Sequence, residues 1–387
     1  MENFEVINPT RIVFGANQLS RLPELLKENN CKKLLLVYGG GSIKTNGLYD
    51  NIKNVLTGFN VIEFGGVEAN PEYLTLMKAV NVGRSENVDF ILAIGGGSVI
   101  DGVKFISGAI PFEGDPWRVL LREPGHVFTK AIPFGTVLTI PATGSEANSG
   151  AVISRSELKE KRTMGGPLFF PVFSFCDPTV MKSLPKRQLV NGIVDAFMHT
   201  LEQYITFPSD NLLQEREAEG ILSTLIEIKD VVNNPDDYKL ASNLMWCANH
   251  ALNGNLRCGV ATDWTTHMIG HELTALYGID HARTLAIIAP RLYEHCIEDK
   301  KEKLIQYGIR VWNLSGDNES IAKEAIKKTE LFFQELGIKT RISEYTDDTQ
   351  ELPSLIKERF IERSWNGLGE RQNITPVDVE IIVKSAI

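Results

Sequence analysis

Hydrophobic positions in the first half of the chain come in short unbroken runs, each ending at glycine or proline. K-K-L-L-L-V-Y (32–38), N-V-I-E-F (60–64) and V-D-F-I-L-A-I (88–94) read as strands. The first is a run of the kind found in a strand buried on both faces. Apolar residues at helical spacing predict helices near 18–29, 48–56 and 71–86, and a further helix opening at Val99. The opening F-E-V-I-N-P-T-R-I-V-F-G reads as two short strands around a proline turn. Such alternation implies a parallel, doubly wound, Rossmann-like sheet. After Asp177-Pro178 the β-branched runs give way to helical periodicity. Helices are expected at about 185–206, 210–230, 236–252, 262–275, 283–296, 298–313, 318–336, 351–362 and 375–386. At 387 residues the chain exceeds one ordinary core. The expected division is an α/β domain over 1–183 and an all-helical domain over 184–387, split at Ser183-Leu184-Pro185, where a serine cap and a first-turn proline begin a helix. The charged runs E-L-K-E-K-R (157–162) and I-E-D-K-K-E-K (297–303) read as solvated faces.

Two of the predicted strands run into G-G-G-S at a helix start: Gly39-Gly40-Gly41-Ser42, followed by Ile43-Lys44, and Gly95-Gly96-Gly97-Ser98. Glycines let backbone approach an anion closely, and a helix N-terminus offers unpaired N–H groups at the positive end of its dipole. Neither copy is G-x-G-x-x-G, because Lys44 and Ile100 stand where the last glycine belongs.

The seven histidines are unevenly spread, and four fall in two short pieces of the helical half. Asp195 and His199 lie four apart in V-D-A-F-M-H. His267 and His271 repeat that spacing in H-M-I-G-H-E-L-T-A-L-Y-G-I-D-H-A, with His281 just past a turn at Gly278-Ile279-Asp280. A spacing of four puts both side chains of a pair on one helix face. One carboxylate with several imidazoles from separate elements suits a borderline divalent cation such as Fe²⁺ or Zn²⁺.

These pieces resemble the metal site of the iron-containing (group III) alcohol dehydrogenases, and the resemblance spans essentially the whole chain. It is nearest the NADPH-dependent butanol dehydrogenase and aldehyde reductase branch, which has a dehydroquinate synthase-like fold. The resemblance implies Asp195, His199, His267 and His281 as ligands of one metal, Fe²⁺ or Zn²⁺. It implies His271 as a non-ligand close to nicotinamide and substrate, acting as proton relay or only shaping the pocket. The 95–98 turn would cradle the pyrophosphate with Asp101 nearby, and the 39–44 turn would lie at the adenosine ribose. NAD-preferring members carry an acidic residue where this chain has Gly39. Glycine there makes room for a 2′-phosphate in the turn it shares with Gly40, with Ser42 or Lys44 in reach, and so implies NADP(H). Thr139 and Thr143 match the family's T-x-x-x-T-G-(S/T)-E signature, and Lys161 resembles a further cofactor-domain contact. A homodimer is implied as well.

Composition narrows the partners. A net charge of −9 argues against nucleic acid or an anionic membrane. No run approaches the length of a membrane span, and the N-terminus shows no signal-peptide pattern. Five scattered cysteines without a C-x-x-C pair fit reduced thiols in the cytoplasm. Ligand pockets favour domain interfaces, so the site is expected there, with Phe197, Trp264 and Tyr277 as aromatic residues favouring an aliphatic aldehyde. Hydride transfer between NADPH and an aldehyde is the expected reaction. A dehydroquinate synthase-like lyase is the alternative. It requires a basic substrate pocket, for which only Arg257, Arg283 and Arg291 are well placed, and it consumes no cofactor. A non-catalytic binding protein would show no turnover with any aldehyde or metal.

Overall fold

The computed structural model describes residues 1–387. The chain divides into two compact units, one of residues 7–185 with 234–249 and one of residues 1–6, 186–233 and 250–387.

The first unit is built on a six-stranded parallel sheet. Its strands are β1 (Arg11–Phe14), β2 (Lys33–Tyr38), β3 (Asn60–Phe64), β4 (Phe90–Gly95), β5 (Phe134–Leu138) and β8 (Phe173–Cys176), in the order β1-β8-β5-β4-β2-β3. Leu34, Leu36, Phe90, Leu92 and Ile94 point into one core beneath flanking helices. Their neighbours Leu35, Val37, Ile91 and Ala93, on the opposite pleat, are equally buried. Coverage of both faces is why these strands read as continuous apolar runs. Each fully buried Leu or Ile contributes about 2 kcal/mol from lost water contact. The chain runs outward from β2 to β3, then returns to lay β4 on the other side of β2. The strand order therefore reverses between β2 and β4, and ligands of open α/β sheets bind at such a switch point, beyond the carboxyl ends of the strands. Tyr38 is in register with Ile94, so the two glycine turns leave neighbouring strands side by side.

Two expectations are corrected in this part of the fold. Residues 4–7 form no strand; only β1 does, and Phe4, Val6 and Ile7 are exposed. An extended segment needs a sheet edge to satisfy its backbone, and here the Glu2 N–H instead donates to the Gly259 carbonyl. The run at 157–162 is solvated as expected, with Glu157, Leu158 and Lys159 exposed and none of the six buried. Lys159, with φ +51°, turns a hairpin between β6 (Ala151–Arg155) and β7 (Glu160–Met164). Residues 234–249, expected with the helical half, group with the sheet. Trp246 packs edge-on against Phe14, and Asn249 Nδ2 donates to the buried Glu146 carboxylate at 2.8 Å.

The second unit is helical. Its central helix, Lys186–Tyr204, is buried continuously from Gly192 to Tyr204. A helix buried all round has no wet face for polar groups, yet this one carries Asp195, His199, Thr200, Glu202 and Gln203. Each therefore needs a partner inside the protein. Gln203 finds the His199 and Ala251 carbonyls, and Thr200 donates to the Ala196 carbonyl. Asp195, His199 and Glu202 share one face at i, i+4 and i+7.

Candidate metal centre and nucleotide turns

Opposite that face lie the helices Thr265–Tyr277 and His281–His295, joined by a tight turn at Gly278, whose φ of +66° suits glycine. The two helices approach closely at Gly270. A methyl group there would come within 2.7 Å of Thr284 Oγ1, so glycine permits the approach that brings His267 and His281 together. Asp280, immediately before His281, is braced from the central helix. Arg187 donates to both its oxygens at 2.7 Å, and Asn191 Nδ2 adds a bond at 2.8 Å. Burial raises the Asp280 pKa, but these donors outweigh it and hold the carboxyl below its ordinary value.

The result is a cluster of Asp195, His199, His267 and His281 whose ligand atoms all lie within 4.8 Å of one another. Asp195, His199 and His267 are buried, and His281 is half-buried. The His199 and His267 rings stack at 4.8 Å, with the Trp264 edge against both. Asp195 Oδ1 is buried and accepts no hydrogen bond, with His281 Nε2 at 3.6 Å and His199 Nε2 at 3.8 Å. A buried carboxylate oxygen without a donor is costly, and a cation among these four groups removes that cost. The donor set fits a divalent metal. His271 stands beside the cluster and not in it, its ring 5.1 Å from that of His281 and 6.2 Å from that of His267.

One residue of the site was not singled out in the sequence. Glu202 is hydrogen-bonded to His267 Nδ1 and accepts the Thr266 N–H at 2.8 Å. A carboxylate on the far nitrogen of a ligand histidine fixes its tautomer and ring orientation. Burial pushes the Glu202 carboxyl well above its ordinary range and nearby Asp263 adds to this, while the backbone N–H of His267 pulls the other way. Behind it, the buried Lys300 pairs with Asp263 and Glu370. Burial alone would lower the Lys300 pKa, but these two carboxylates leave it raised. Phe197, expected near substrate, instead packs in the core against Phe332 and Phe333. Tyr277 donates its hydroxyl to the Asp348 carbonyl.

In the sheet unit, β4 ends at Gly95 and the helix Gly97–Ala109 begins two residues later. A side chain at Gly95 would collide with Val99, and one at Gly97 with Thr143. The Thr139 N–H donates to the Gly95 carbonyl at 3.0 Å, and Ser98 Oγ donates to the Ala69 carbonyl. Asp101 gives both oxygens to the protein, taking Ser145 Oγ at 2.6 Å and the Val152 N–H at 2.9 Å. Lys161 Nζ donates to Asn70 at 3.1 Å. At the other turn, Gly40 and Ser42 are exposed, and a Cβ on Gly39 would press on the Val67 carbonyl at 3.2 Å. The exposed Lys44 sits over the Tyr38 and Tyr49 rings, about 5 Å from each centroid.

The family described as "Iron-containing alcohol dehydrogenase" matches residues 9–178, and "Fe-containing alcohol dehydrogenase family, C-terminal" matches residues 189–387. The chain is 46% identical to the NADPH-dependent aldehyde reductase YqhD of Escherichia coli, covering 97% of each chain. It is 39% identical to the probable NADH-dependent butanol dehydrogenase 1 of Bacillus subtilis over the full length of both. Among solved structures, E. coli YqhD superimposes with a TM-score of 0.96 at 45% identity, covering 100% of this chain and 99% of that one. The NADH-dependent butanol dehydrogenase A of Thermotoga maritima superimposes at 0.95 with 32% identity, again over 100% and 99%. The fold and its cluster thus define a metal- and nicotinamide-dependent oxidoreductase of alcohols and aldehydes. The chain belongs to the iron-containing alcohol dehydrogenase family. The elimination alternative is not favoured by these relatives.

Proposed function

We propose that the protein is an NADP(H)-linked aldehyde reductase and alcohol dehydrogenase. It reduces short- to medium-chain aldehydes such as butanal and, in reverse, oxidises the alcohols. The observation that carries this reading is the Asp195–His199–His267–His281 cluster, with its buried carboxylate oxygen that accepts no donor. These four residues would hold one Fe²⁺ or Zn²⁺. When bound, the metal supplies Lewis acidity toward a carbonyl or alcohol oxygen, and the reduced nicotinamide supplies hydride. Glu202 keeps His267 in the tautomer whose Nε2 faces the cluster. Asp280 and Arg187 set the helix end from which His281 projects. His271, outside the ligand set, passes the proton that must reach the alkoxide oxygen as the aldehyde is reduced.

Gly39, Gly40, Ser42, Lys44, Gly95, Gly96, Gly97, Ser98, Asp101, Thr139, Thr143 and Lys161 are proposed to form the nucleotide site. Asp101 acts there through the loop it anchors. NADP(H) preference is supported by two features: no carboxylate stands at position 39, and Lys44 supplies positive charge three residues into that turn's helix. The 46% identical relative carries NADPH in its name, whereas the butanol dehydrogenases carry NADH, so the residues at 39–44 bear the weight. A cytoplasmic homodimer completes the reading, supported by five free thiols and the exposed apolar Phe4, Val6 and Ile7. The division at 183/184 is kept as the point where nucleotide-binding chain gives way to metal-binding chain.

The test follows reduced-nicotinamide absorbance with butyraldehyde, using metal-stripped protein reconstituted with Fe²⁺ or Zn²⁺. Metal-dependent NADPH oxidation, with NADH much slower, is expected. Turnover with NADH alone would overturn the position-39 argument. Silence with both cofactors across several aldehydes would overturn the reductase.

A further inference from the structure

The helix Gly97–Ala109 presents Gly97, Asp101 and Lys104 on one face, at i, i+4 and i+7. All three meet the same loop, residues 143–150. Gly97 abuts Thr143, and Asp101 accepts Ser145 Oγ. Lys104, fully buried, donates to Ser145 Oγ at 2.7 Å, to Asn148 Oδ1 at 2.9 Å and to the Gly150 carbonyl at 2.7 Å. These are all three donors that an ammonium has, and all go to one loop. Asn148 relays the restraint, because its Nδ2 donates to the Thr143 and Gly144 carbonyls, the latter at 2.9 Å. Gly144, at φ +60°, is the corner of that turn.

We infer that Lys104 is a positioning residue for nucleotide binding: through Ser145 and Asn148 it holds the Thr143–Gly144 corner against the glycine turn at the start of its own helix. The inference rests on the reading that the 95–98 turn receives the nucleotide. A buried ammonium is expensive unless several groups repay its lost water. Burial pushes Lys104 down to about 8, with Asp101 and Glu146 opposing it. A methionine of similar length would fill the space without that cost, so packing alone does not call for lysine here. The loop's carbonyl and side-chain acceptors do. No substrate or nucleotide atom need touch Lys104 for this role.

The experiment titrates metal-free protein with NADPH, reading nucleotide fluorescence, for wild type, Lys104→Met, Lys104→Arg and Asn148→Ala. Metal affinity is measured in parallel by chelator competition. Lys104→Met should weaken NADPH about tenfold or more with metal affinity unchanged within twofold. In the reconstituted enzyme it should raise the NADPH KM by a similar factor with little change in kcat. Lys104→Arg should recover part of the loss. Asn148→Ala, which leaves Lys104 in place but cuts its link to the corner, should weaken NADPH severalfold. If Lys104→Met does not fold, the Asn148→Ala value decides. NADPH affinity within twofold of wild type in a folded Lys104→Met protein, or in Asn148→Ala where that decides, would overturn the inference. Failure of wild type itself to bind NADPH would instead overturn the nucleotide reading beneath it.

Discussion

Replacing Glu202 with glutamine changes one atom's chemistry and almost no volume. Its carboxylate takes the His267 Nδ1 hydrogen bond and the Thr266 N–H, and the side chain is buried. A glutamine can still accept from Thr266 through its oxygen, which turns its NH₂ toward His267. His267 must then present Nδ1 as an acceptor, which places its proton on Nε2, the nitrogen that faces Asp195, His199 and His281. Keeping the ligating tautomer instead sets two donors against each other. Either way a charge-assisted hydrogen bond is lost, worth about 1.5–3 kcal/mol. At about 1.4 kcal/mol per factor of ten, metal affinity should fall roughly 10- to 100-fold, the range typical of such supporting carboxylates. Chelator competition with Zn²⁺ on metal-stripped protein reads this directly. A thermal melt of the same protein separates it from general damage and should shift by only a few degrees. Zinc affinity within twofold of wild type would refute the reasoning.

Other consequences follow from the same geometry. Gly270→Ala places a methyl 2.7 Å from Thr284 Oγ1 and 3.3 Å from Leu285 Cδ2, so it should cost about 1–3 kcal/mol by overpacking and weaken metal binding; a urea melt and the chelator assay check both. Asp280→Asn removes the paired bonds from Arg187, whose side chain is 63% exposed. Solvent screening limits the stability loss to about 1 kcal/mol or less, while metal affinity falls severalfold because His281 loses its brace. The thiols of Cys31, Cys247 and Cys296 are pushed up to about 12, chiefly by burial. A raised thiol stays protonated and unreactive until pH nears that value, so iodoacetamide at pH 8.5, read by peptide mapping, should label these three cysteines at least about a hundredfold more slowly in the native protein than in the urea-unfolded chain.

Much of the sheet unit was legible because its physics is local. A strand buried on both faces announces itself as an apolar run, and the glycines after Tyr38 and Ile94 mark where chain leaves the sheet. Of the cluster, Asp195–His199 carries its geometry in a spacing of four, whereas the same spacing at His267–His271 points to a residue that stands beside the cluster, and only the family resemblance sets His281 in its place. Glu202 had a signal too: it continues the Asp195–His199 face to i+7. A carboxylate in H-T-L-E nevertheless reads equally well as a solvated residue until the helix is known to be buried all round. What supports the site from afar had no signal. Lys300 lies 37 residues from Asp263 and 70 from Glu370, and only the fold brings them together. The grouping of Asn234–Asn249 with the sheet likewise depends on contacts to Phe14 and Glu146 more than 100 residues away. The 4–7 segment shows the converse limit: its alternation suits a strand, but pairing needs an edge.

The central claim is that Asp195, His199, His267 and His281 hold the one metal on which aldehyde reduction depends. The most direct measurement titrates metal-stripped protein with Fe²⁺ under anaerobic conditions while following NADPH oxidation with butyraldehyde, for wild type, Asp195→Ala and His271→Ala. Wild type should reach full rate at one equivalent per chain. Asp195→Ala should stay near background well beyond it, and His271→Ala should bind one equivalent yet turn over slowly. Full activity of Asp195→Ala at one equivalent, or of metal-stripped wild type with no metal added, would contradict the account.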